Sequence, residues 1–240
     1  MTPDVDYDSI FAATLPGVSF RMLMAWIADE DLDTDHIDAV KAFTQADIDR
    51  KVYVEMAEGF AIPGKVLLLR KALEGIKQGA NLWFGLNRGA WLKLGFTSWM
   101  NEINLYVLPG HKIRSGVFAD DVLVGFPSDK RSVWLAIKKE YAKIIRIGSY
   151  DTISPAVRFT GVQIERDRTH RLLTIHQSNY IDDLGEKYAG KFKPQETPHG
   201  VSKDDRAAFD KLVDITDVDP VDKTTYLQLL GKIVWPSAMT

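Results

Sequence analysis

The stretch Val117-Phe118-Ala119-Asp120-Asp121-Val122-Leu123-Val124-Gly125-Phe126 sets two adjacent carboxylates inside a run that otherwise reads as a buried strand. Apolar and β-branched residues on both sides favour extended chain. Charges taken out of water there cost on the order of several kcal/mol each unless something compensates them. Two readings follow: a divalent cation compensates both acids, or the acids close a tight hairpin turn. The pattern alone leaves both open.

Asp-Asp is a poor signal by itself, because Asp182-Asp183 and Asp204-Asp205 repeat it. Asp182-Asp183 lies in a helical pattern in which Ile181, Leu184 and Tyr188 can face inward and the acids face water. Asp204-Asp205 sits in a charged loop. Only Asp120-Asp121 has strand on both flanks.

A chain of 240 residues can build one sizeable domain or two small ones without covalent staples. It has no cysteine, which excludes disulfides and thiolate metal sites; a metal would be held by oxygen or by one of the five histidines. Hard cations such as Mg²⁺ are then the default. No apolar run approaches the roughly 20 residues that span a bilayer, and Thr2-Pro3-Asp4-Val5-Asp6 lacks the charge and apolar stretch of a signal peptide. The expectation is a soluble intracellular protein. A formal net charge of −3 argues mildly against a nucleic-acid partner. Acids, however, concentrate in 29–38 and 204–222, while Lys and Arg recur through 65–93, 112–146 and 158–171, so a locally basic groove is available.

Periodicity predicts the elements. Asp4 to Asp8 reads as an exposed arm. Phe20, Leu23, Met24 and Ile27 give helical spacing over 18–28, and the acidic Asp29 to Asp33 ends that helix. His36 to Phe43 is a short strand candidate with Asp38 inside it. Val52 to Met56 alternates as a half-buried strand, and Val66 to Leu69 reads as a buried one. Leu82, Leu86, Ala90 and Leu94 predict a helix ended by Gly95, with Trp83 and Trp91 in or beside the core. Asn104 to Leu108 and Arg114 to Phe118 are strands joined through Pro109-Gly110. A helix over 129–145 presents Val133, Ile137, Tyr141 and Ile144 on one face. Val157 to Glu165 and Leu172 to Ile175 read as a hairpin around Asp167-Arg168-Thr169-His170, and a helix runs from Ser178 to Ala189. Lys191 to Pro220 has the composition of a linker or mobile loop. The chain stops inside a helical pattern, Tyr226 to Trp235, as a fragment of something longer would. The order of elements predicts an α+β fold whose antiparallel sheet is covered by helices on one face.

Seven separated segments, in order, resemble the reverse transcriptase of copia-type long-terminal-repeat retrotransposons, a piece of their Pol polyprotein. Val5-Asp6-Tyr7 with Ile10-Phe11 is similar to the family's "DY…F" entry, His36 to Phe43 to "DVKTAF", and Val52-Tyr53-Val54 through Glu58-Gly59-Phe60 to "VYM…PEGF". Lys71 to Gln78 with Trp83 resembles "KALYGLKQ…W", and Phe118-Ala119-Asp120-Asp121 resembles "YVDD". Phe159 to Ile164 resembles "FLGIEI", and Gln177 to Ile181 resembles "SQ…YI".

The resemblance implies a right-hand fold: partial fingers with the first palm strand over 1–80, palm over 81–165, and palm edge, linker and truncated thumb or connection start over 166–240. It implies RNA-directed DNA polymerisation with two Mg²⁺ ions, Mn²⁺ being an alternative. Asp38 and Asp120 would be the principal metal ligands and Asp121 the third acid. Phe43 would crowd a ribose 2′-oxygen, Gln78 would contact the incoming nucleotide, Phe118 would lie near the primer, and Gly161, in a tight hairpin, would let the backbone approach it. The partners implied are RNA template, DNA primer, deoxynucleotide triphosphates and other segments of the polyprotein, with no membrane. The place implied is the cytoplasm, in a virus-like particle, or the nucleus.

Departures from the pattern bear on activity. Phe118 and Ala119 stand where Tyr and Val are usual, Ala57 where proline is common, Glu74 where Tyr is, and Asn81 where a basic residue is. The family's basic fingers strand lies upstream of this start, and the thumb end and ribonuclease H domain lie downstream. Lys41, Lys65, Arg70, Lys71 and Lys77 are the cations left near the phosphates. An alternative reading is therefore an inactive remnant that keeps the fold and some nucleic-acid affinity. A metal-dependent phosphatase or nuclease would explain the acids but not the other segments.

Overall fold

The computed structural model describes residues 10–149 and 152–188, together with isolated helical positions between 224 and 234. The arm at Asp4 to Asp8, the Val5-Asp6-Tyr7 segment, Asp204-Asp205 and the stretch from Lys191 to Pro220 lie outside the described residues. The chain divides into two compact units, residues 1–174 and 175–240.

The first unit is built on a five-stranded antiparallel sheet. Its strands are β1 (Asp33–Asp38), β4 (Thr97–Trp99), β5 (Glu102–Leu108), β6 (Ile113–Phe118) and β7 (Asp121–Phe126), in the order β1-β7-β6-β5-β4. The run from Val122 to Phe126 is buried at every position, as a strand covered on both faces must be. On one face, α2 (Gly79–Lys93) and α3 (Arg131–Ile144) bring Trp83, Trp91, Trp134 and Tyr141 against Ile37, Val117, Val122, Val124 and Phe126. On the other lies α1 (Gly17–Asp29). Helices on a single face were expected; both faces are covered.

Two glycines make the second layer possible. A Cβ at Gly116 would stand 2.8 Å from methyls of Leu15 and Leu23, and one at Gly125 would stand 2.8 Å from Ile27. The missing side chains are the groove into which α1 settles. Gly125→Ala is expected to overpack this contact and lower the unfolding free energy by about 1–3 kcal/mol. An unchanged urea midpoint would show that the layer has slack.

Several boundaries differ from the sequence reading. β1 begins at Asp33 and ends at Asp38; Lys41 then takes a left-handed φ of 49°, and Ala42–Gln45 form a single 3₁₀ turn containing Phe43. Three acids in β1 hide it from a pattern of apolar residues. β2 (Tyr53–Val54) and β3 (Leu67–Leu68) pair over two residues only, and Val66 and Leu67 are 56% and 48% exposed, so the buried strand expected there is not buried. An apolar run carries no information on what covers it. In α2 the buried side chains are Trp83, Asn87, Ala90 and Trp91, while Leu86 and Leu94 are only partly buried. The indoles turn the helix because they have more apolar surface to bury than leucine.

The stretch read as one strand from Val157 to Glu165 is two strands, β8 (Ala156–Phe159) and β9 (Val162–Asp167), followed by β10 (Leu172–His176), in the order β10-β9-β8. Thr160 and Gly161 have φ of 49° and 85°, the signature of a two-residue type I′ turn. In the second unit, α4 (Ser178–Tyr188) carries Asp182 and Asp183 exposed, and the Tyr180 hydroxyl donates to the Lys232 carbonyl at 3.1 Å.

Tyr106 and Tyr141 are buried in the core of the first unit, and burial pushes the Tyr106 phenol from 10.0 to about 12 and the Tyr141 phenol up as well. A raised folded-state pKa gives stability that is whole below the unfolded value and is lost as pH rises through the folded one. Stability is expected to fall by about 1 kcal/mol per tyrosine between pH 10 and pH 11. Denaturation midpoints at those pH values, with Tyr106→Phe showing the shallower slope, check this.

Candidate active site

The strand ends bring the sequence's candidate acids together. Asp38, last in β1, is paired with Asp121, first in β7, and Asp121 is paired in turn with Phe118, last in β6. Partners directly opposite in antiparallel strands have Cα atoms about 4.5–5.5 Å apart, so the three side chains form one row on one face of the sheet. Asp120 occupies the two-residue turn between β6 and β7 with Ala119, whose φ is 52°. The acids therefore do close a tight hairpin, and that hairpin also delivers them to the end of β1.

The turn is held from two sides. The Ala39 N–H donates to the Asp120 carbonyl at 3.0 Å, and the Trp83 indole N–H donates to the Ala119 carbonyl at 2.9 Å. Asp38 is fixed through its backbone, whose carbonyl accepts the Gly148 N–H at 2.9 Å. Beyond it, the Gln45 side chain joins Val40 to Arg146, donating to their carbonyls at 2.8 and 2.9 Å.

Electrostatics distinguish the three acids. Partial desolvation where the turn packs on the sheet end raises the Asp120 carboxyl from its ordinary value, although the residue as a whole is exposed. Its own backbone N–H opposes the shift, and the charges of Asp121, Asp38 and Glu74 add to it. Asp38 and Asp120 are exposed, whereas Asp121 is half-buried with both oxygens engaged. Its Oδ1 lies 2.9 Å from His36 Nε2, and its Oδ2 accepts the Thr160 N–H at 3.1 Å. Among the described residues, no group of three or more His, Cys, Asp or Glu side chains is placed to hold a metal ion. Asp38 and Asp120 are the open carboxylates.

The remaining candidates divide. Phe43 is half-buried and lines a small cleft of about 60 Å³ with Ala119 and Trp83, so the structure brings it to the turn. Gly161 belongs to the turn whose Thr160 N–H reaches Asp121. Gln78 is buried at the start of α2 with 1% exposure. Lys41, Lys65, Arg70 and Lys77 are exposed; Lys71 is bound to Asp47 at 2.7 Å.

His36, Thr160, Gln45 and the Trp83 indole were missed from sequence. His36 had a signal, since it shares Asp38's face at a spacing of two. The others act through backbone atoms or across more than thirty residues, where a pattern has nothing to read.

The profile of the reverse transcriptase (RNA-dependent DNA polymerase) family matches residues 1–197. The chain is 29% identical over 212 residues to the retrovirus-related Pol polyprotein from transposon TNT 1-94 of Nicotiana tabacum, covering 81% of this chain and 15% of that protein. It is 30% and 29% identical over 127 residues to those from transposons RE1 and RE2 of Arabidopsis thaliana, covering 51% of this chain and 9% of each. It thus spans a small part of these relatives' length. No solved structure matches it, and among the described residues no helix is long and apolar enough to cross a membrane. Acids from two strands gathered at one turn, and a family match over most of the chain, identify it as a member of the copia-type retrotransposon reverse transcriptase family.

Proposed function

We propose that the chain performs RNA-directed DNA synthesis, adding deoxynucleotides to a primer 3′-hydroxyl along an RNA template. The observation that carries this is the pairing of Asp38 with the Asp120-Asp121 hairpin at one end of the sheet. Two hard cations bound there would activate the hydroxyl and neutralise the leaving pyrophosphate.

The donor set fits such ions in part. Asp38 and Asp120 offer exposed carboxylate oxygens, the ligand type that Mg²⁺ or Mn²⁺ takes. Desolvation first, and then the neighbouring charges of Asp121, Asp38 and Glu74, raise the Asp120 carboxyl; a bound cation would offset both. Asp121 stands beside them as the third acid. Phe43, on the cleft wall next to Ala119, would crowd a ribose 2′-oxygen, and Phe118, across from Asp121, would lie near the primer. The Thr160-Gly161 turn would approach the primer backbone. For Gln78 the nucleotide contact has no support in a side chain that is 1% exposed.

In this reading the palm is the five-stranded sheet with its helices, the exposed β2 and β3 ribbon belongs to the fingers, and α4 begins the thumb or connection. Template, primer, deoxynucleotide triphosphates and other polyprotein segments are the partners. The test is primer extension on an RNA template with Mg²⁺ or Mn²⁺, comparing the chain with Asp120→Asn. Extension by the parent alone supports a polymerase. No extension by either, with both folded, supports an inactive remnant.

A further inference from the structure

The hydrogen bonds on Asp121 distinguish it from the other two acids. A carboxylate only accepts, so His36 donates through Nε2 to Oδ1 at 2.9 Å, while the Thr160 backbone donates to Oδ2 at 3.1 Å. Both donors come from fixed positions. His36 lies on β1, two residues before Asp38, and its ring meets the Phe159 ring edge-on with centroids 6.3 Å apart. Phe159 is fully buried and stacks on Phe20 of α1 at 5.6 Å. Thr160 follows Phe159 directly, in the left-handed conformation of the type I′ turn. One hairpin, β8–β9, therefore supplies the brace for the imidazole and the second donor.

This arrangement goes beyond what a lone surface ion pair would show. His36 and Asp121 are each about three-quarters buried, at 25% and 26% side-chain exposure. Through them three separate pieces of chain meet at one carboxylate: the strand that carries Asp38, the hairpin that carries Asp120, and the hairpin that carries Gly161. Among the described residues the carboxyl of Asp120 is restrained by its own backbone N–H, not by donors from two other pieces of chain as Asp121 is.

We propose that Asp121 is a positioning residue pinned by His36 and the Thr160 N–H, joining the β8–β9 turn to the Asp120 turn, and that the cation site itself is made by Asp38 and Asp120. The proposal rests on the polymerase reading and assigns its third acid a different task. His36 is the residue that sets it: removing the imidazole frees Oδ1 and leaves the two turns joined by a single backbone donor.

Three measurements on the full 240-residue chain decide it. The first needs no metal: a double-mutant cycle in urea unfolding with His36→Ala and Asp121→Asn. A coupling of at least about threefold in the folding constant is expected; additive effects overturn the pin. The second is Mn²⁺ binding without nucleic acid, followed by electron paramagnetic resonance of the free ion. Asp38→Asn and Asp120→Asn are expected to weaken binding at least tenfold, and Asp121→Asn less than threefold. Equal loss in Asp121→Asn makes it a ligand and overturns the proposal while leaving the polymerase reading in place. Unchanged binding in all three variants removes the two-acid cation site, and the polymerase reading with it, whatever the cycle shows.

The third is a split between KM and kcat for primer–template. Loosening the turn beside Gly161 is expected to raise KM at least fivefold in His36→Ala and in Asp121→Asn, with kcat changed less, and to raise it no further in the double variant. His36→Gln, which keeps an N–H donor on that strand, is expected to restore KM to within twofold of the parent. A fall in kcat with KM unchanged, or no rescue by glutamine, overturns the pin.

Discussion

Replacing Lys138 by methionine is expected to lower the unfolding free energy by about 3–5 kcal/mol, the cost of leaving a buried charge without its partner. Lys138 and Asp35 have side-chain exposures of 1% and 0%, and the ammonium donates to the two carboxylate oxygens at 3.1 and 2.9 Å. The Trp134 indole donates to Asp35 at 2.7 Å, the Thr152 hydroxyl donates to it as well, and Lys138 also donates to Thr152 at 2.8 Å. In Lys138→Met the carboxylate keeps two neutral donors and loses its counter-charge. Adding Asp35→Asn removes the stranded charge while keeping a group that accepts from Trp134 and Thr152. The double variant is expected to recover more than half of the loss. A single variant costing under about 1 kcal/mol, or a double one no better than the single, would sink the argument.

The same pair positions the site. Asp35 lies in the strand that carries His36 and Asp38, and it bridges to Ile153. Thr34 exchanges hydrogen bonds with Ser154, its carbonyl accepting at 3.2 Å and its hydroxyl donating at 2.7 Å. Loss of the buried pair is therefore expected to loosen β1 from the 152–154 segment, and hydrogen exchange at the Ile37 amide should rise with it.

The second large effect is on chemistry. Asp38→Asn and Asp120→Asn are each expected to lower primer extension by at least about 10³-fold, because an amide keeps the shape of the carboxylate and loses the charge that would hold a cation against the developing phosphoryl charge. Both side chains are exposed, so the folded state should tolerate the change; for Asp120, relief from the like charges of Asp121, Asp38 and Glu74 favours the amide slightly. An unaltered urea midpoint with extension lost is the expected pair of results. Extension by Asp120→Asn within tenfold of an active parent would remove Asp120 from the metal site.

The sequence by itself determined the elements that announce themselves locally. α1, α2 and α3 were legible from apolar spacing at 3.6 residues, and β5, β6 and β7 from apolar runs broken by Pro109-Gly110 and by the Asp pair. The family was legible because seven short segments fell in the right order, a long-range regularity that survives the loss of any one. Phe118, Asp120 and Asp121 were readable as one box, since they are contiguous.

The tertiary structure alone decided what the acids face. β1 was misplaced because Asp33, Asp35 and Asp38 mask a strand whose charges are satisfied by Lys138, Arg168 and the site itself, all remote in sequence. The second helical layer was invisible because its signal is two absent side chains, Gly116 and Gly125. The restraint on Asp121 comes from an imidazole 85 residues away and a backbone N–H 39 residues away. A backbone donor has no residue type, so no pattern of letters encodes it. Periodicity reports which face a side chain takes along one element; what stands opposite that face is fixed by register and packing between elements.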